Sequence, residues 1–396
     1  MSETIALDLD RIRSELPATG RSACLNTGTS GPLPSAALSA AVRLAAEEFA
    51  TGRMTMSYVL SYRAVLAAAR DRLASFVGAD GDEMALTQNT TSGMNIATWG
   101  LDWKPGDRIV TTTLEHEGGL VPLYQLHRRR GVDVTFADVG DGHGDRALEA
   151  LDAAISPGVK LVAVSHLTWS TGAILPLAEI VELAHERGAM VLVDGAQSVG
   201  AIPVDMHELG ADFYAFSGQK WLCGPHGSGG LFVRRDRLDE LRPTFTGYVG
   251  IDFGSYRPND VTTLAPAAGA QRFEVASSYL PSVAALEASV AWLDEQGPIF
   301  DAIRSLAGYC LSRVRELPGV QVLTPDAPHH GGLVAFKLDG VDSAGCVDLL
   351  HERGVDIRHI PDNGALRISC GFFNAREEID RAVELIDAFA RGAAWA

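Results

Sequence analysis

An acid and a lysine follow two neighbouring apolar runs of this sequence. Asp194 ends the run Met190–Asp194, and Lys220 comes three residues after the run Phe213–Ser217. Two strands of this kind, lying side by side, would hold a carboxylate and an amine at one edge of a sheet. Pyridoxal phosphate (PLP) needs that pair, because a lysine forms a Schiff base with its aldehyde and an acid keeps its pyridine nitrogen protonated. The sequence therefore predicts a PLP site.

The runs that must position these two residues alternate with helical patterns. Apolar, β-branched runs are found at Arg108–Thr112, Val132–Phe136, Leu161–Ser165, Met190–Asp194, Phe213–Ser217 and Gly230–Val233. Helical patterns at Leu148–Ile155 and Leu177–Arg187 lie between some of them. Strands that alternate with helices through short loops predict a mostly parallel sheet covered on both faces. The carboxyl ends of its strands would meet along one rim.

The pattern changes after Val233. The segment Arg242–Pro266 is rich in Gly, Pro, Thr and Tyr and predicts a long loop, which in a compact protein is usually functional. A helix is predicted over 281–296, and helix and strand patterns then alternate over Ile299–Arg315, Leu333–Leu338, Ser343–Arg353, Ala365–Ser369 and Ala375–Phe389. We place an N-terminal segment that packs with the small domain at 1–25, a large domain at 26–285 and a small C-terminal α/β domain at 286–396.

Composition argues against several classes of protein. The chain has 396 residues, 46% of them hydrophobic, which is enough for two domains. A net charge of −17 argues against nucleic-acid binding, and no apolar run has the length of a membrane span. The acidic N-terminus lacks the apolar core of a signal peptide. Cysteines without disulfide or metal spacing favour free thiols in a reducing cytoplasm, and they are Cys24, Cys223, Cys310, Cys346 and Cys370.

A polar segment precedes a third helical pattern. Residues 87–96 read Thr-Gln-Asn-Thr-Thr-Ser-Gly-Met-Asn-Ile, which predicts a loop that opens a helix. The free N–H groups and the dipole at such a helix start suit a phosphate group. An ordinary N-cap cluster has the same composition, and both interpretations stay open on this segment alone.

Taken in order, these motifs resemble the class V aminotransferase family of fold-type I PLP enzymes. That family includes cysteine desulfurases, cysteine and cystine C–S lyases and isopenicillin N epimerase-like proteins. The resemblance runs from Leu25–Pro34 to Arg367–Asn374. It implies the fold of PLP-dependent transferases of type I, with a mostly parallel seven-stranded sheet in the large domain and a smaller α/β C-terminal domain. It also implies PLP as the cofactor and a homodimer with shared active sites.

The resemblance assigns roles around the cofactor ring. Lys220 matches the Schiff-base lysine, and Asp194 matches the partner of the pyridinium nitrogen. Gln197 would face the phenolic oxygen of the cofactor. His116 matches a histidine that stacks on the pyridine face, where a flat ring excludes water. We expect Lys220 and His116 to be the catalytic residues.

Other matching positions concern the phosphate group and the substrate. Thr91 and Ser92 match the phosphate-binding segment, and Ser217 matches a further phosphate ligand. Ser277 matches a position that reaches the phosphate of the neighbouring subunit. Arg367 matches the arginine that binds the substrate α-carboxylate through a bidentate fork. Two more residues are expected beside the substrate, and they are Thr29 and Trp169.

The sequence departs from the desulfurases in the family. Their persulfide-forming cysteine lies shortly before the carboxylate-binding arginine, whereas residues 354–366 here contain no cysteine. Gln219 precedes the lysine where desulfurases usually have a histidine, and an amide cannot shuttle protons. Trp169 and the segment Glu274–Pro281 resemble the C–S lyases instead. We therefore expect β-elimination on cysteine, cystine or an S-substituted cysteine, with Lys220 as general base.

Several alternatives stay open at this level. A protein with the same cofactor could be an aminotransferase or an isopenicillin N epimerase-like enzyme. It could also be an oxidative decarboxylating deaminase of a cysteine conjugate in natural-product biosynthesis. A non-enzymic PLP-binding scaffold is a further alternative. The expected partner is a small amino acid, and no metal, nucleic acid or membrane partner is expected.

Overall fold

The structure, a computed structural model, describes residues 7–392. Its strands are β1 (Ala23–Cys24), β2 (Met84–Thr87), β3 (Arg108–Thr112), β4 (Asp133–Ala137), β5 (Val159–Ser165), β6 (Met190–Asp194), β7 (Phe213–Ser217), β8 (Gly229–Val233), β9 (Val320–Val322), β10 (Leu333–Leu338), β11 (Val355–Asp356), β12 (Arg358–Ile360) and β13 (Ala365–Ser369). Its α-helices are α1 (Leu9–Ser14), α2 (Ser35–Thr51), α3 (Met56–Phe76), α4 (Thr90–Gly100), α5 (Glu117–Arg130), α6 (Gly144–Ala154), α7 (Leu177–Glu186), α8 (Met206–Leu209), α9 (Leu280–Asp294), α10 (Ile299–Val314), α11 (Ser343–Glu352) and α12 (Arg376–Ala390).

The large sheet has seven strands in the order β2-β8-β7-β6-β5-β3-β4. Neighbouring strands are parallel from β4 to β7, whereas β8 is antiparallel to both β7 and β2. The predicted α/β fold class, with a mostly parallel sheet in a large unit, is confirmed. The strand order changes direction between β3 and β5, because β4 lies on one side of β3 whereas β5, β6 and β7 follow one another on its other side. A ligand site is expected at the carboxyl ends of the strands near such a point.

Alternate residues of the central strands enter apolar cores on opposite faces of this sheet. In β6, Val191 and Val193 belong to one core and Leu192 to the other. In β7, Tyr214 belongs to the same core as Val191 and Val193, and Phe213 belongs to the same core as Leu192. A strand buried on both faces needs an apolar residue at every position, which is why β6 and β7 read as continuous apolar runs.

A smaller antiparallel sheet, in the order β12-β13-β10-β9, lies in the C-terminal part of the chain. Helices α10, α11 and α12 contribute to the apolar core against it. The N-terminal segment also reaches this part, because β1 pairs with β11 and Arg13 forms an ion pair with Glu378 of α12 (2.8 Å). Residues 1–6 and 393–396 of the predicted units lie outside the described residues. The boundary predicted at 285 lies within α9, which packs on α2 and α3, and it stays a prediction.

No element was assigned above to residues 35–76, where the structure forms α2 and α3. Both helices expose large apolar side chains, among them Phe49, Met56 and Leu60. Exposed apolar residues hide the polar face by which an amphipathic helix is recognised in a sequence. The long segment 242–266 contains only isolated bridges and turns, as expected of a loop. Within residues 7–392, no helix is both long enough and apolar enough to cross a membrane.

Candidate active site

Asp194 and Lys220 meet at the rim formed by the carboxyl ends of β5, β6 and β7. Asp194 is the last residue of β6 and pairs with Ser165 of β5 and Ala215 of β7. It is buried, and its Oδ1 accepts a hydrogen bond from the N–H of Ala196 (2.9 Å). Lys220 follows β7 and lies near enough for the charge of Asp194 to act on its amine. The juxtaposition expected from the sequence is present.

The surroundings of Lys220 leave a larger fraction of its amine neutral, and so nucleophilic, at pH 7 than in a surface lysine. Burial lowers the pKa of Lys220 to about 8, and the positive charges of Arg367 and Arg358 act in the same direction. Asp194 and Glu117 oppose this effect and favour the charged amine. A larger share of neutral amine is available to attack a carbonyl group or to accept a proton.

His116 is fixed at the start of α5. It is the N-cap residue, and its Nδ1 accepts a hydrogen bond from the N–H of Gly118 (2.9 Å). The neutral ring therefore carries its proton on Nε2, which lies 3.4 Å from a carboxylate oxygen of Glu117. The edge of the ring meets Trp169, with the ring centroids 5.0 Å apart and an interplanar angle of 82°. Burial lowers the pKa of His116.

Hydroxyl groups gather at the start of α4. Asn89 caps this helix by accepting from the N–H of Ser92 (2.8 Å), and Thr90 contacts the hydroxyl of Ser217 through both its N–H (3.1 Å) and its Oγ1 (2.6 Å). A Cβ atom added to Gly118 would lie 2.6 Å from Oγ1 of Thr91. Glycine thus lets the starts of α4 and α5 approach each other closely, and the N–H groups of such helix starts suit a phosphate group.

A cleft of about 1510 Å³ joins the start of α4 to the segment that carries Ser277. Thr91, Ser92 and Ser277 of the same chain all line it. Ser277 is exposed, and its N–H donates to the hydroxyl of Tyr248 (3.1 Å), which also contacts its Oγ.

Gln197 lies in the site with part of its amide already bound. Its Nε2 donates to the carbonyl oxygen of Gly28 (2.8 Å), and its Oε1 accepts from Nε1 of Trp221 (2.9 Å). One N–H of the amide therefore remains for a ligand. The two contacts join the segment after β6, the N-terminal segment and the residue after Lys220, so Gln197 also holds the walls of the site together.

Arg367 of β13 is buried, and it has no carboxylate partner in the part of the chain that the structure describes. Its Nη1 donates to the carbonyl oxygen of Trp169 (2.9 Å), and its Nη2 to the hydroxyl of Thr29 (3.3 Å). Within residues 7–392, its Nε has no hydrogen-bond partner. Burial lowers the pKa of Arg367 to about 9, and the charge of Arg358 adds to that effect. A buried guanidinium with a free N–H on one edge suits a carboxylate ligand.

Arg358 is a site residue that the sequence interpretation missed. It lies on β12 directly opposite Arg367 and donates to the same hydroxyl of Thr29 (3.5 Å). The signal was available, because Asp362-Asn363-Gly364 between two short runs is a typical hairpin turn. Pairing those runs would have brought the two arginines together.

The residues present fit PLP. A buried carboxylate and a buried amine lie at one rim, a histidine lies at the start of one helix, and hydroxyl groups lie at the start of another. Gly118 lets these two helix starts lie close together. In this arrangement Asp194 would hold the ring nitrogen, Lys220 the aldehyde carbon, and Thr91, Ser92 and Ser217 the phosphate.

The family model described as "Aminotransferase class-V" matches residues 24–382, which is most of the chain. The chain belongs to the class-V aminotransferase family. Among its class-V relatives, the cysteine desulfurase of Haloferax volcanii is 35% identical over 340 residues, which are 81% of this chain and 78% of that protein. The isopenicillin N epimerase of Streptomyces clavuligerus is 33% identical over 381 residues, which are 92% and 94% of the two chains.

Solved structures of class-V proteins agree with the fold. C-DES, described as a cystine C–S lyase, was solved with its reaction product cysteine persulfide and gives a TM-score of 0.89 at 33% identity, covering 94% of this chain and 99% of that one. A C-DES mutant with glycine covalently linked to its PLP cofactor gives a TM-score of 0.90, also at 33% identity, covering 95% and 99%. The predicted family is confirmed.

Proposed function

We propose that this PLP-dependent enzyme is a C–S lyase that eliminates the β-sulfur of cysteine, cystine or an S-substituted cysteine. The products would be a thiol or persulfide, pyruvate and ammonia. The observation that carries the proposal is the pair of arginines beside Lys220. Within residues 7–392, neither Arg358 nor Arg367 forms an ion pair with an acid, and they share only the hydroxyl of Thr29. Two guanidinium groups suit a substrate with two carboxylates, such as cystine.

Arg367 would bind the carboxylate of the half of the substrate that reacts. Its free Nε and the remaining N–H of Nη2 form one edge of the guanidinium fork, which can bind both oxygens of a carboxylate. Fixing the carboxylate fixes which bond to Cα faces the reacting orbitals. Arg358 would bind the second carboxylate of cystine, or a polar group of another S-substituent.

Lys220 would remove the proton from Cα. The electron-withdrawing ring that PLP would supply makes this proton more acidic. The low pKa of Lys220, about 8, matches a general base that works near neutral pH. Asp194 and Gln197 would orient the ring, and Trp169 and His116 would exclude water from the reacting bond.

The cysteines argue against desulfuration through a protein persulfide. All five cysteines are described, and four of them are buried. Cys24, the remaining one, lies in β1 and is only partly exposed, and burial raises the pKa of its thiol. A persulfide carrier needs an accessible thiolate, and none of the five meets that requirement. Direct elimination requires no enzymic thiol, which supports the lyase over the desulfurase reaction.

Epimerisation at Cα is a second candidate. The isopenicillin N epimerase relative covers 92% of this chain, against 81% for the Haloferax desulfurase. Inversion needs a proton donor on the face of Cα opposite the base. His116, with its proton on Nε2, is the residue that could supply it. Aminotransfer, and oxidative decarboxylating deamination in natural-product biosynthesis, use the same binding residues and differ from elimination in their products.

A homodimer with shared sites forms part of the proposal. Large apolar side chains are exposed on α2, on α3, in the turn between these two helices and in the segment 245–279, and they include Phe49, Met54, Phe253, Val261 and Tyr279. An exposed apolar surface of this extent favours contact with another protein surface. A second copy of the chain would cover it and bring Ser277 towards the neighbouring phosphate group. We also propose that the enzyme is cytoplasmic, as its free thiols favour.

Incubation of the holoenzyme with cystine, cysteine and S-methylcysteine tests the proposal. We expect pyruvate and a thiol or persulfide in equal amounts from at least one substrate, and none from a Lys220→Ala variant. Alanine without pyruvate would indicate desulfuration. A substrate of inverted configuration that gains deuterium from D₂O would indicate epimerisation, and a 2-oxo acid that retains the sulfur would indicate aminotransfer. Any of these three results, without pyruvate, contradicts the lyase proposal.

A further inference from the structure

Glu115 is a carboxylic acid beside the candidate site for which the reaction above has no use. It lies in the turn between β3 and α5, immediately before His116. Its Oε1 accepts a hydrogen bond from the hydroxyl of Thr112, at the end of β3, and its Oε2 from the hydroxyl of Ser165, at the end of β5, both at 2.6 Å. The carboxyl group therefore links the ends of two strands under the turn that begins α5.

The same group lies near the anchor of the cofactor ring. Ser165 is paired with Asp194 in the ladder of β5 and β6, so the hydroxyl that donates to Glu115 belongs to the residue opposite Asp194 on β5. The charged group that acts on Glu115 from β6 is Asp194, while Thr112 and Ser165 face it from β3 and β5 as neutral donors. On its own turn it is followed by His116 and by Glu117, whose carboxylate is largely exposed.

We propose that Glu115 is a positioning residue that anchors the turn carrying His116 and loses a proton when the cation of the cofactor ring pairs with Asp194. The proposal rests on the placement of PLP given above, but not on the identity of the reaction. The anchoring follows from the two short hydrogen bonds. The release of the proton follows from electrostatics. The negative charge of Asp194 disfavours ionisation of Glu115, and a positive charge beside Asp194 offsets it.

The protonation state of Glu115 supports this assignment. Burial raises the pKa of the Glu115 carboxyl to about 7; the hydroxyls of Ser165 and Thr112 oppose the rise, and the charge of Asp194 adds to it. A group with that pKa is about half protonated at pH 7, so a ligand that lowers its pKa releases up to roughly half a proton. The proton leaves the carboxyl group for solvent, and the carboxylate remains with its two hydroxyl donors.

Calorimetry of PLP binding to the apoenzyme tests the proposal. The number of protons released per PLP at pH 7 is obtained from titrations in buffers with different ionisation enthalpies. Lysine and phosphate ionisation contribute equally in wild type and in Glu115→Gln, so the difference between them isolates Glu115. We expect Glu115→Gln to release about 0.3–0.5 proton fewer than wild type. Glu316→Gln is the control, because this exposed carboxylate forms its ion pair with Arg313 just after α10, outside the site, and it should release as many protons as wild type.

The affinity of the Glu115 variants for PLP distinguishes the anchoring role of Glu115 from the effect of its charge. Glu115→Gln keeps polar contacts to both hydroxyls and should bind PLP within about threefold of wild type, whereas Glu115→Ala loses both contacts and should bind at least about tenfold more weakly. Equal proton release by wild type and Glu115→Gln, or unchanged PLP affinity in Glu115→Ala, would overturn the proposal. If Glu115→Ala does not fold, the Gln variants still decide it. Absence of pyruvate with normal proton release would count against the lyase reaction alone.

Discussion

Arg358 lies directly opposite Arg367 in the antiparallel ladder of β12 and β13, and both guanidinium groups donate to the hydroxyl of Thr29. Side chains at directly opposed positions point to the same face of a sheet, so these two positive charges repel each other. Removing Arg367 from water without an acidic partner adds a further cost. Binding of carboxylates would relieve both effects, which is the physical reason to expect a substrate with two acidic groups here.

The two arginines should have separable effects on substrate choice. We expect Arg358→Gln to lower kcat/KM for cystine roughly 10- to 100-fold relative to S-methylcysteine, which has a single carboxylate. Loss of a hydrogen bond to a charged group costs about 1.5–3 kcal/mol, and each 1.4 kcal/mol is a factor of ten. Arg367→Gln is the control and should impair both substrates alike. An equal loss on both substrates in Arg358→Gln would contradict the assignment of the second carboxylate.

The pKa of Lys220 should be visible in the capture of PLP by the apoenzyme. Only the neutral amine attacks the aldehyde, so the rate should rise with pH and level off above the pKa of about 8. At pH 7 about one-tenth of the amine is neutral. Stopped-flow absorbance between pH 6 and 9.5 measures this profile. Arg358→Gln should move the midpoint to higher pH, because the charge of Arg358 lowers the pKa of Lys220. A midpoint near 10.5, the ordinary lysine value, would contradict the prediction.

The sequence predicts the residues at the ends of the parallel strands better than the side-chain contacts around them. Strands β6 and β7 were placed at their observed bounds because a buried parallel strand is a continuous apolar run that ends at a polar residue. Asp194 and Lys220 follow from those bounds. The turn at Asp362–Gly364 indicates that Arg358 faces Arg367 only once its flanking runs are paired as strands, and local sequence does not indicate that Glu115 bonds to Ser165. The roles of the phosphate and carboxylate residues come from family resemblance, and their tests are biochemical.

A buried histidine should make the stability of the protein depend on pH. His166 is buried, its Nδ1 lies 2.8 Å from the hydroxyl of Tyr214, and burial lowers its pKa to about 4. The unfolded chain, with a histidine pKa near 6.5, binds more protons between pH 4 and 6.5. The contribution of His166 to the free energy of unfolding is therefore greatest above pH 6.5. It decreases by about 3 kcal/mol as the pH falls to 4. Glu115 has the opposite sign, since its folded pKa is raised, so the wild-type curve alone does not isolate His166.

Comparison with His166→Gln isolates the histidine. At pH 7 we expect this variant to unfold at a lower temperature than wild type, because the contact with Tyr214 is worth about 1 kcal/mol. The difference in unfolding temperature between the two proteins should become smaller or reverse its sign at pH 5. At that pH only wild type is destabilised by having to keep a buried imidazole neutral. Tyr214→Phe, which retains the histidine, should show no such narrowing. Thermal unfolding midpoints at both pH values measure the effect, and a gap independent of pH would contradict the expected titration.

Mixed dimers would decide where Ser277 acts. A negative charge beside a phosphate group is repulsive, so Ser277→Asp should weaken PLP binding in whichever site this residue serves. Lys220→Ala removes the reacting amine of its own chain.

If Ser277 serves the neighbouring site, a dimer of one Lys220→Ala chain and one Ser277→Asp chain contains one site with both substitutions and one with neither. Half of the wild-type pyruvate formation per mixed dimer is then expected, provided that each homodimer of a single variant is impaired. If Ser277 serves its own cleft, every site in the mixed dimer carries one substitution, and activity should stay at the level of the impaired homodimers. Chains with different affinity tags allow the mixed dimer to be purified, and light scattering of the untagged protein tests for the dimer itself.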